Sequence, residues 1–288
     1  ARRELLRAGG YRTLDTFEAT RGCIHSCDFC VVPTAWGRKP FQKPVAHVVD
    51  DIRRRGAKNV LFYDLNLFAD PEYARELFSA LVPLRVRWFG LSTILVGRDP
   101  GMVELLRASG CRGLLIGFES LDTASLAEMN KPFNRPAQYA RVVEALHDAG
   151  IAVNGTFVFG HDADGEEAFD SCLDFVQSAR IDLPRFSLLT PFPGTPLFQR
   201  LESEGRILTR DWGLYDGQHV VFRPTRMSAA ALQAGHERVW KAAYSWGGMA
   251  RRLARRMPHP ALVFGANWAY RYYAHNLDRF YTCTGGMA

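Results

Sequence analysis

"RGCIHSCDFC", residues 21–30, sets three of the chain's six cysteines within eight positions, in the spacing C-x3-C-x2-C. The fold follows from where these thiols fall between strand and helix. Upstream, "TLDTFEAT" (13–20) reads as a short strand, less apolar than those that follow it. Downstream, Val45, Val48, Val49 and Ile52 recur at i, i+3, i+4 and i+7, which makes one apolar helical stripe. The cysteines therefore occupy a strand-to-helix loop, the position that carries chemistry in parallel β/α barrels.

The same rhythm continues down the chain. "NVLFYDL" (59–65), "VRWFGLS" (86–92), "GLLIGFE" (113–119), "AVNGTFVFG" (152–160) and "RFSLLT" (185–190) are short apolar runs that read as buried parallel strands. Helical stripes lie between them, at Tyr139, Val142, Val143, Leu146 and again at Phe169, Cys172, Leu173, Val176. Gly56 and Gly150 stand where such helices end. A repeat of ~30 residues is that of βα units. Six strands count out before residue 205, which predicts an α/β fold: a partial (β/α)6 TIM-like barrel over 1–205 and a helical C-terminal extension over 206–288. In the extension Ser228 is expected to cap a helix from Ala229 to about Tyr244, and the aromatic tail "ALVFGANWAYRYYAHNLDRFY" (261–281) to pack as core.

Composition sets the outer bounds. The 288 residues are 47% hydrophobic and 23% charged, a globular balance with length for a substantial core. Six cysteines are too few for a disulfide scaffold at this length, and Cys111 and Cys172 fall in apolar periodic segments, as buried thiols do. A reducing, cytoplasmic setting is expected. No apolar run reaches the ~20 residues that span a bilayer, and no basic-then-apolar leader opens the chain. The net charge is +6. Arg53 to Arg55 read as a solvated helix end, and "RRLARRM" (251–257) as a solvated face, with contact to nucleic acid, to anionic lipid (and so peripheral membrane association) or to a partner as the other readings. No specific nucleic-acid binding is expected.

Three chemistries compete for Cys23, Cys27 and Cys30. A structural zinc wants four ligands, and His25, cramped between two of the cysteines, is an awkward fourth. A dithiol redox pair needs only Cys27 and Cys30 and leaves Cys23 idle. Three thiolates can hold a 4Fe-4S cluster and leave one iron open to bind a substrate or cofactor. An electron-transfer module would usually saturate its cluster with a fourth cysteine.

Here the chain resembles the radical S-adenosylmethionine superfamily. The resemblance rests on "CIHSCDFC", with Phe29 before the last cysteine, and runs through the βα units of residues 13–205. "TRGCIHSCDFC", "LFYDLNLF", "GFES" and "TPFPGTPLF" are similar to the branch whose members usually carry a cobalamin-binding domain. It implies a 4Fe-4S cluster on Cys23, Cys27 and Cys30, S-adenosylmethionine on its open iron, and hydrogen abstraction from an unactivated carbon by a 5′-deoxyadenosyl radical. The outcome is methyl transfer with cobalamin, or cyclisation, oxidation or another rearrangement without it. It assigns Asp64 and Asn66 to the methionine amino group, Glu119 to the ribose hydroxyls or that amino group, and Lys131 to the methionine carboxylate. The backbone of Val158, Phe159 and Gly160 would meet the adenine edge, with Phe159 on the ring. Implied partners are a small-molecule or lipid-like substrate and an electron donor such as flavodoxin or ferredoxin. Only 22 residues precede Cys23 and no D-x-H-x-x-G motif occurs, so a cobalamin domain is expected to have been removed, to reside on another chain, or never to have been used. Trp36, Phe41 and Phe68 are expected either to rim the barrel mouth, where a corrinoid would seat, or to pack on the 206–288 tail. His25, His161 and His219 are read as structural or solvated.

Overall fold

The computed structural model describes residues 15–254 and 257–277. Cys283, residues 13–14 of the first expected strand, Arg255 and Arg256 of the basic run, and the end of the aromatic tail lie outside the described residues.

The chain opens with β1 (Asp15–Phe17), β2 (Thr20–Arg21), α1 (Val32–Trp36), β3 (Phe41–Gln42) and α2 (Val45–Arg55). Then come β4 (Asn59–Phe62), α3 (Pro71–Leu81), β5 (Arg87–Ser92), α4 (Pro100–Ala108), β6 (Cys111–Glu119), α5 (Thr123–Glu128) and α6 (Tyr139–Asp148). The alternation closes with β7 (Ala152–Phe159), α7 (Glu167–Ser178), β8 (Leu183–Leu188) and α8 (Pro196–Ser203). Three further helices follow, α9 (Ala229–Ala243), α10 (Trp246–Leu253) and α11 (Pro260–Ala274). Starts are written in the sequence. Asp70, Asp99 and Thr195 each accept an amide of the first turn and are followed by proline, whose missing N–H costs nothing there. Ser228 caps α9 as expected.

Six strands form one parallel sheet in the order β1-β4-β5-β6-β7-β8. Order in space follows order in sequence, and β1 does not pair with β8, so the barrel is partial and open. The expected single strand at 13–20 is instead broken at Glu18 and Ala19. β2 leaves the sheet to pair antiparallel with β3, because the carboxylate of Asp64 takes the amides of Ala19 and Thr20 that a ladder would need.

Strand alternation sorts the two faces. Outward, Trp88 stacks on Phe78 of α3 at 4.9 Å, and Phe118, Phe157 and Phe186 run on as an aromatic layer under the helices. Inward, Leu61, Phe89, Leu91 and Leu115 form a half-buried apolar wall on β4 to β6. The inner face of β7 and β8 carries Asn154, Thr156, Arg185 and Ser187 instead.

An open sheet leaves the carbonyls of β8 without a partner strand, and the extension supplies side chains in its place. Tyr244 donates to Pro184 O at 2.7 Å, Trp240 Nε1 to Phe186 O at 2.9 Å, and Asn267 Nδ2 to Asp182 O at 2.9 Å. Proline is tolerated at position 184 because an edge strand needs no N–H on its open side. The aromatic tail is only partly core. Tyr270 and Tyr273 pack on Trp240, but Phe264, Trp268 and Tyr272, one turn apart along α11, are each more than half exposed. Cys111 and Cys172 are buried free thiols, as expected. Among the described residues no helix is long and apolar enough to cross a membrane.

Candidate metal centre and cofactor site

Cys23, Cys27 and Cys30 lie in the loop between β2 and α1, at the C-terminal edge of the sheet, as half-buried free thiols. Gly22 leads into it with φ +102°, a backbone conformation that side-chain-bearing residues rarely adopt. The loop is pinned from two sides. Asp28 N donates to Met129 O at 3.0 Å, and Asn130 Nδ2 to Ser26 O at 3.0 Å. Leu197 N donates to Asp28 O at 3.0 Å, and Thr34 Oγ1 to Gly194 O at 3.1 Å. His25 stacks on Phe133 with ring centres 4.2 Å apart, a structural role, and Phe29 packs against the core rather than toward open space. The segments after α5 and before α8 thus hold the cysteine loop in place.

The thiols share one electrostatic neighbourhood. Burial pushes the Cys27 thiol up to about 11, with Lys131 opposing and Cys30, Glu119 and Cys23 adding. Burial also raises Cys30, against the Val32 amide. Such thiols stay protonated until a metal displaces the proton. Among the described residues no three His, Cys, Asp or Glu side chains converge on a single ion. Three thiols on one loop are a donor set that suits an iron–sulfur cluster with one iron left open.

Beside the thiols lies a buried ion pair, Lys131 Nζ to Glu119 Oε1 at 2.6 Å. Lys131 also donates to Gly117 O at 3.2 Å, and Thr156 Oγ1 reaches Glu119 Oε2 at 3.3 Å. Glu119 ends β6 with φ +62°, which a non-glycine residue adopts at a cost of about 1 kcal/mol or more. That turn sends the carboxylate back over the inner face of its own strand. Gly117 makes it fit: a side chain there would occupy the position of the Glu119 carboxylate. The structure brings Glu119 and Lys131 together as one pair. The helix that follows is capped by Asp122, so Glu119 does not cap it.

Other expected site residues fall elsewhere. Asp64 is buried, with its carboxylate on the amides of Ala19 and Thr20, so it fixes the strand break rather than facing a ligand. Asn66 is buried too. It donates from Nδ2 toward Cys23 Sγ at 3.9 Å and accepts from Phe68 N at 3.1 Å, which puts it against the cysteine and not beyond it. Phe159 lies in the outer aromatic layer against Phe169, 4.8 Å between ring centres, because it alternates away from the barrel interior. The Gly160 amide is taken by Asp164 at 2.9 Å, and the close approach it allows is that of Leu232 and Phe222 from the extension. Of those three residues only Val158 faces inward. Trp36 and Phe41 are more than half exposed, and Phe68 packs on Phe78 at 5.3 Å.

Two features were not legible in the sequence. His161 is buried with neither ring nitrogen hydrogen-bonded among the described residues, and lines a cavity of about 240 Å³ with Asp28 and Phe29. Asp162 next to it accepts from Arg200 and Arg206, each at 2.6 Å, and from Thr225 at 2.7 Å. Burial works to raise the Asp162 carboxyl, but these donors outweigh it and hold it well below the ordinary range. The network ties the loop after β7 to the extension. Only tertiary folding brings residues 162, 200, 206 and 225 together.

Comparison with known proteins matches this geometry. The family model of the Radical SAM superfamily matches residues 17–176, and a domain of unknown function, DUF4070, matches residues 195–265. The chain is 37% identical over 249 residues to bacteriochlorophyllide d C-12(1)-methyltransferase of Chlorobaculum tepidum, covering 84% of this chain and 54% of that protein. It is 28% identical over 239 residues to the bacteriochlorophyllide d C-8(2)-methyltransferase of the same organism, covering 79% and 53%. The chain thus spans about half the length of these curated relatives. The fold matches the radical S-adenosylmethionine methyltransferase TsrM from Kitasatospora setae, solved with cobalamin and a 4Fe-4S cluster bound. The TM-score is 0.62 at 22% identity, over 93% of this chain and 52% of that one.

Proposed function

The chain belongs to the Radical SAM superfamily, and on that premise we propose that it is the catalytic core of a cobalamin-assisted methyltransferase acting on an unactivated carbon of a large, ring-bearing acceptor. Cys23, Cys27 and Cys30 would hold a 4Fe-4S cluster, with S-adenosylmethionine at the open iron. When bound, these groups supply one-electron cleavage of the sulfonium and so a hydrogen-abstracting radical.

The chain's own residues bind and orient. The single observation that carries the reading is the Glu119–Lys131 pair, buried beside the pinned cysteine loop. Methionine presents an ammonium and a carboxylate on one carbon, and a pre-paired carboxylate and ammonium can exchange partners with it and keep every charge matched. Lys131 would take the methionine carboxylate, and Glu119 the amino group or the ribose hydroxyls. Asn66, against Cys23, steadies the thiolate, and Val158 offers an inward apolar surface to the nucleoside. The inner face of the open barrel receives the acceptor. The exposed rings of Trp36 and Phe41 flank the cysteine loop and offer contact to a corrinoid brought by a domain or partner beyond these residues. A flavodoxin- or ferredoxin-like donor would supply the electron.

The test is anaerobic reconstitution with iron, sulfide, reductant, hydroxocobalamin and S-adenosylmethionine labelled in its methyl group. Label in methylcobalamin, together with 5′-deoxyadenosine once a tetrapyrrole acceptor is added, is expected. Cleavage of S-adenosylmethionine with no methyl passed to cobalamin would remove the methyltransferase part of the proposal and leave the family.

A further inference from the structure

Arg185 projects from β8 onto the inner face of the barrel, half-buried, and among the described residues it makes no hydrogen bond or ion pair. A guanidinium withdrawn from water without a counter-charge is costly. Lys131, the buried cation of the interior, has its carboxylate; half-buried Arg185 has none among the described residues. Its neighbours are unspent as well. Ser187, two residues on along the same face, has no hydrogen-bond partner among the described residues. Asn154 on β7 has a buried Oδ1 with no partner among the described residues. The ladder sets Thr156 opposite Arg185 and Leu183 opposite Asn154, so all three unspent groups lie within one patch of two adjacent strands. Across the interior stands the wall of Leu61, Phe89, Leu91 and Leu115, which is apolar and only half covered.

We propose that the barrel interior is a seat for an amphiphilic acceptor with one anionic group. The apolar body lies along the wall of β4 to β6, and a carboxylate or phosphate takes a two-pronged contact from Arg185, with Ser187 and the Asn154 amide beside it. Arginine suits this role because its planar fork matches the two oxygens of such an anion. The inference rests on the reading of the interior as the acceptor site, and it adds the charge and polarity of the acceptor and the strand on which its anion is read. Arg185 fixes which way the acceptor lies, and therefore which carbon faces the cysteine loop. It is a positioning residue.

The test uses two probes that differ only by a sulfonate: anilinonaphthalene sulfonate and its neutral counterpart phenylnaphthylamine. On the reconstituted chain the sulfonate should bind about ten- to a hundredfold more tightly, the worth of one charge-assisted pair. Arg185→Gln should abolish that preference while the neutral probe binds as before, and Arg185→Lys should keep part of it. Trp268→Ala, on the exposed face of α11, should leave the preference untouched. Displacement of the sulfonate by dodecanoate or by dodecyl phosphate sorts carboxylate from phosphate; displacement by neither overturns the seat. Equal affinity for the two probes, a preference that survives Arg185→Gln, or one lost with Trp268→Ala also overturns it. If Arg185→Gln loses the neutral probe through misfolding, the parent's ratio and its decline with added salt decide. Binding of labelled S-adenosylmethionine, measured on the same samples, separates two kinds of failure. Retention without a sulfonate preference refutes the anion seat alone, and loss of retention refutes the reading beneath it.

Discussion

Gly117→Ala should abolish tight S-adenosylmethionine binding while leaving the iron in place. The added methyl lands on the Glu119 carboxylate and 2.9 Å from Lys131 Nζ. No backbone atom stands in its way; what must move is the far end of a flexible side chain. Glu119 therefore swings out and the pair opens. Overpacking of this kind costs about 1–3 kcal/mol, which a chain of this size should survive folded. Lys131 keeps Gly117 O as a partner, which softens the loss. For the cofactor, each charge-assisted hydrogen bond forfeited is worth about 1.5–3 kcal/mol, or roughly ten- to a hundredfold in Kd. The assay is equilibrium dialysis of labelled S-adenosylmethionine against reconstituted parent, Gly117→Ala, Glu119→Ala and the double variant, with iron content and circular dichroism measured on each. The two single variants should weaken binding alike, and the double no further, because both act on one contact. Parent-like binding by Gly117→Ala would rule out a cofactor contact by Glu119 from its present position, since the methyl takes the place of its carboxylate.

Serine at Cys23, Cys27 or Cys30 should each strip iron from the reconstituted chain, whereas alanine at Cys111 or Cys172 should leave iron content unchanged, as read by iron and sulfide analysis. Tyr244→Phe removes the hydroxyl that satisfies Pro184 O in a buried place, and should cost about 1–3 kcal/mol in urea unfolding without altering cofactor binding. Burial drives His236 down to about 4, against the contact to Phe186 O, so the folded chain holds it neutral, its Nε2 also accepting from Trp240 Nε1 at 3.1 Å, where the unfolded chain binds a proton. Stability should therefore fall as pH drops from about 6.5 toward 4, by on the order of 3 kcal/mol from this group, and His236→Gln should flatten that slope in denaturant titrations. Trp36→Ala should weaken hydroxocobalamin binding followed by absorbance, while Phe68→Ala, whose ring packs on Phe78, should act on stability instead.

The rhythm of strands and helices was legible because the helix-covered face of a parallel strand must be apolar, and runs such as 113–118 and 157–159 are rich in Leu, Ile, Val and Phe. The cysteine spacing was legible because ligand chemistry needs those residue types close in sequence. What the sequence hid was direction. Phe159 and Val158 are adjacent, and only the ladder tells which one faces inward. Asp64 looked like a site carboxylate because it ends a strand, yet its oxygens are spent on the break between β1 and β2. Glu119 and Lys131 could be assigned separately to a ligand, but their pairing depends on a positive φ and on the hydrogen atom that Gly117 carries in place of a side chain. Likewise, the aromatic tail gave its helical period, but not that Phe264, Trp268 and Tyr272 turn outward while Tyr270 and Tyr273 close on Trp240.

Everything proposed for the site depends on three thiolates leaving one iron open beside the Glu119–Lys131 pair. Electron paramagnetic resonance of the reduced, reconstituted chain reads that iron itself. A reduced 4Fe-4S signal that shifts when S-adenosylmethionine is added is expected, with a signal in Glu119→Ala that shifts only at far higher concentration. A signal indifferent to S-adenosylmethionine, or a cluster that persists when Cys23 is replaced by serine, would contradict the open iron.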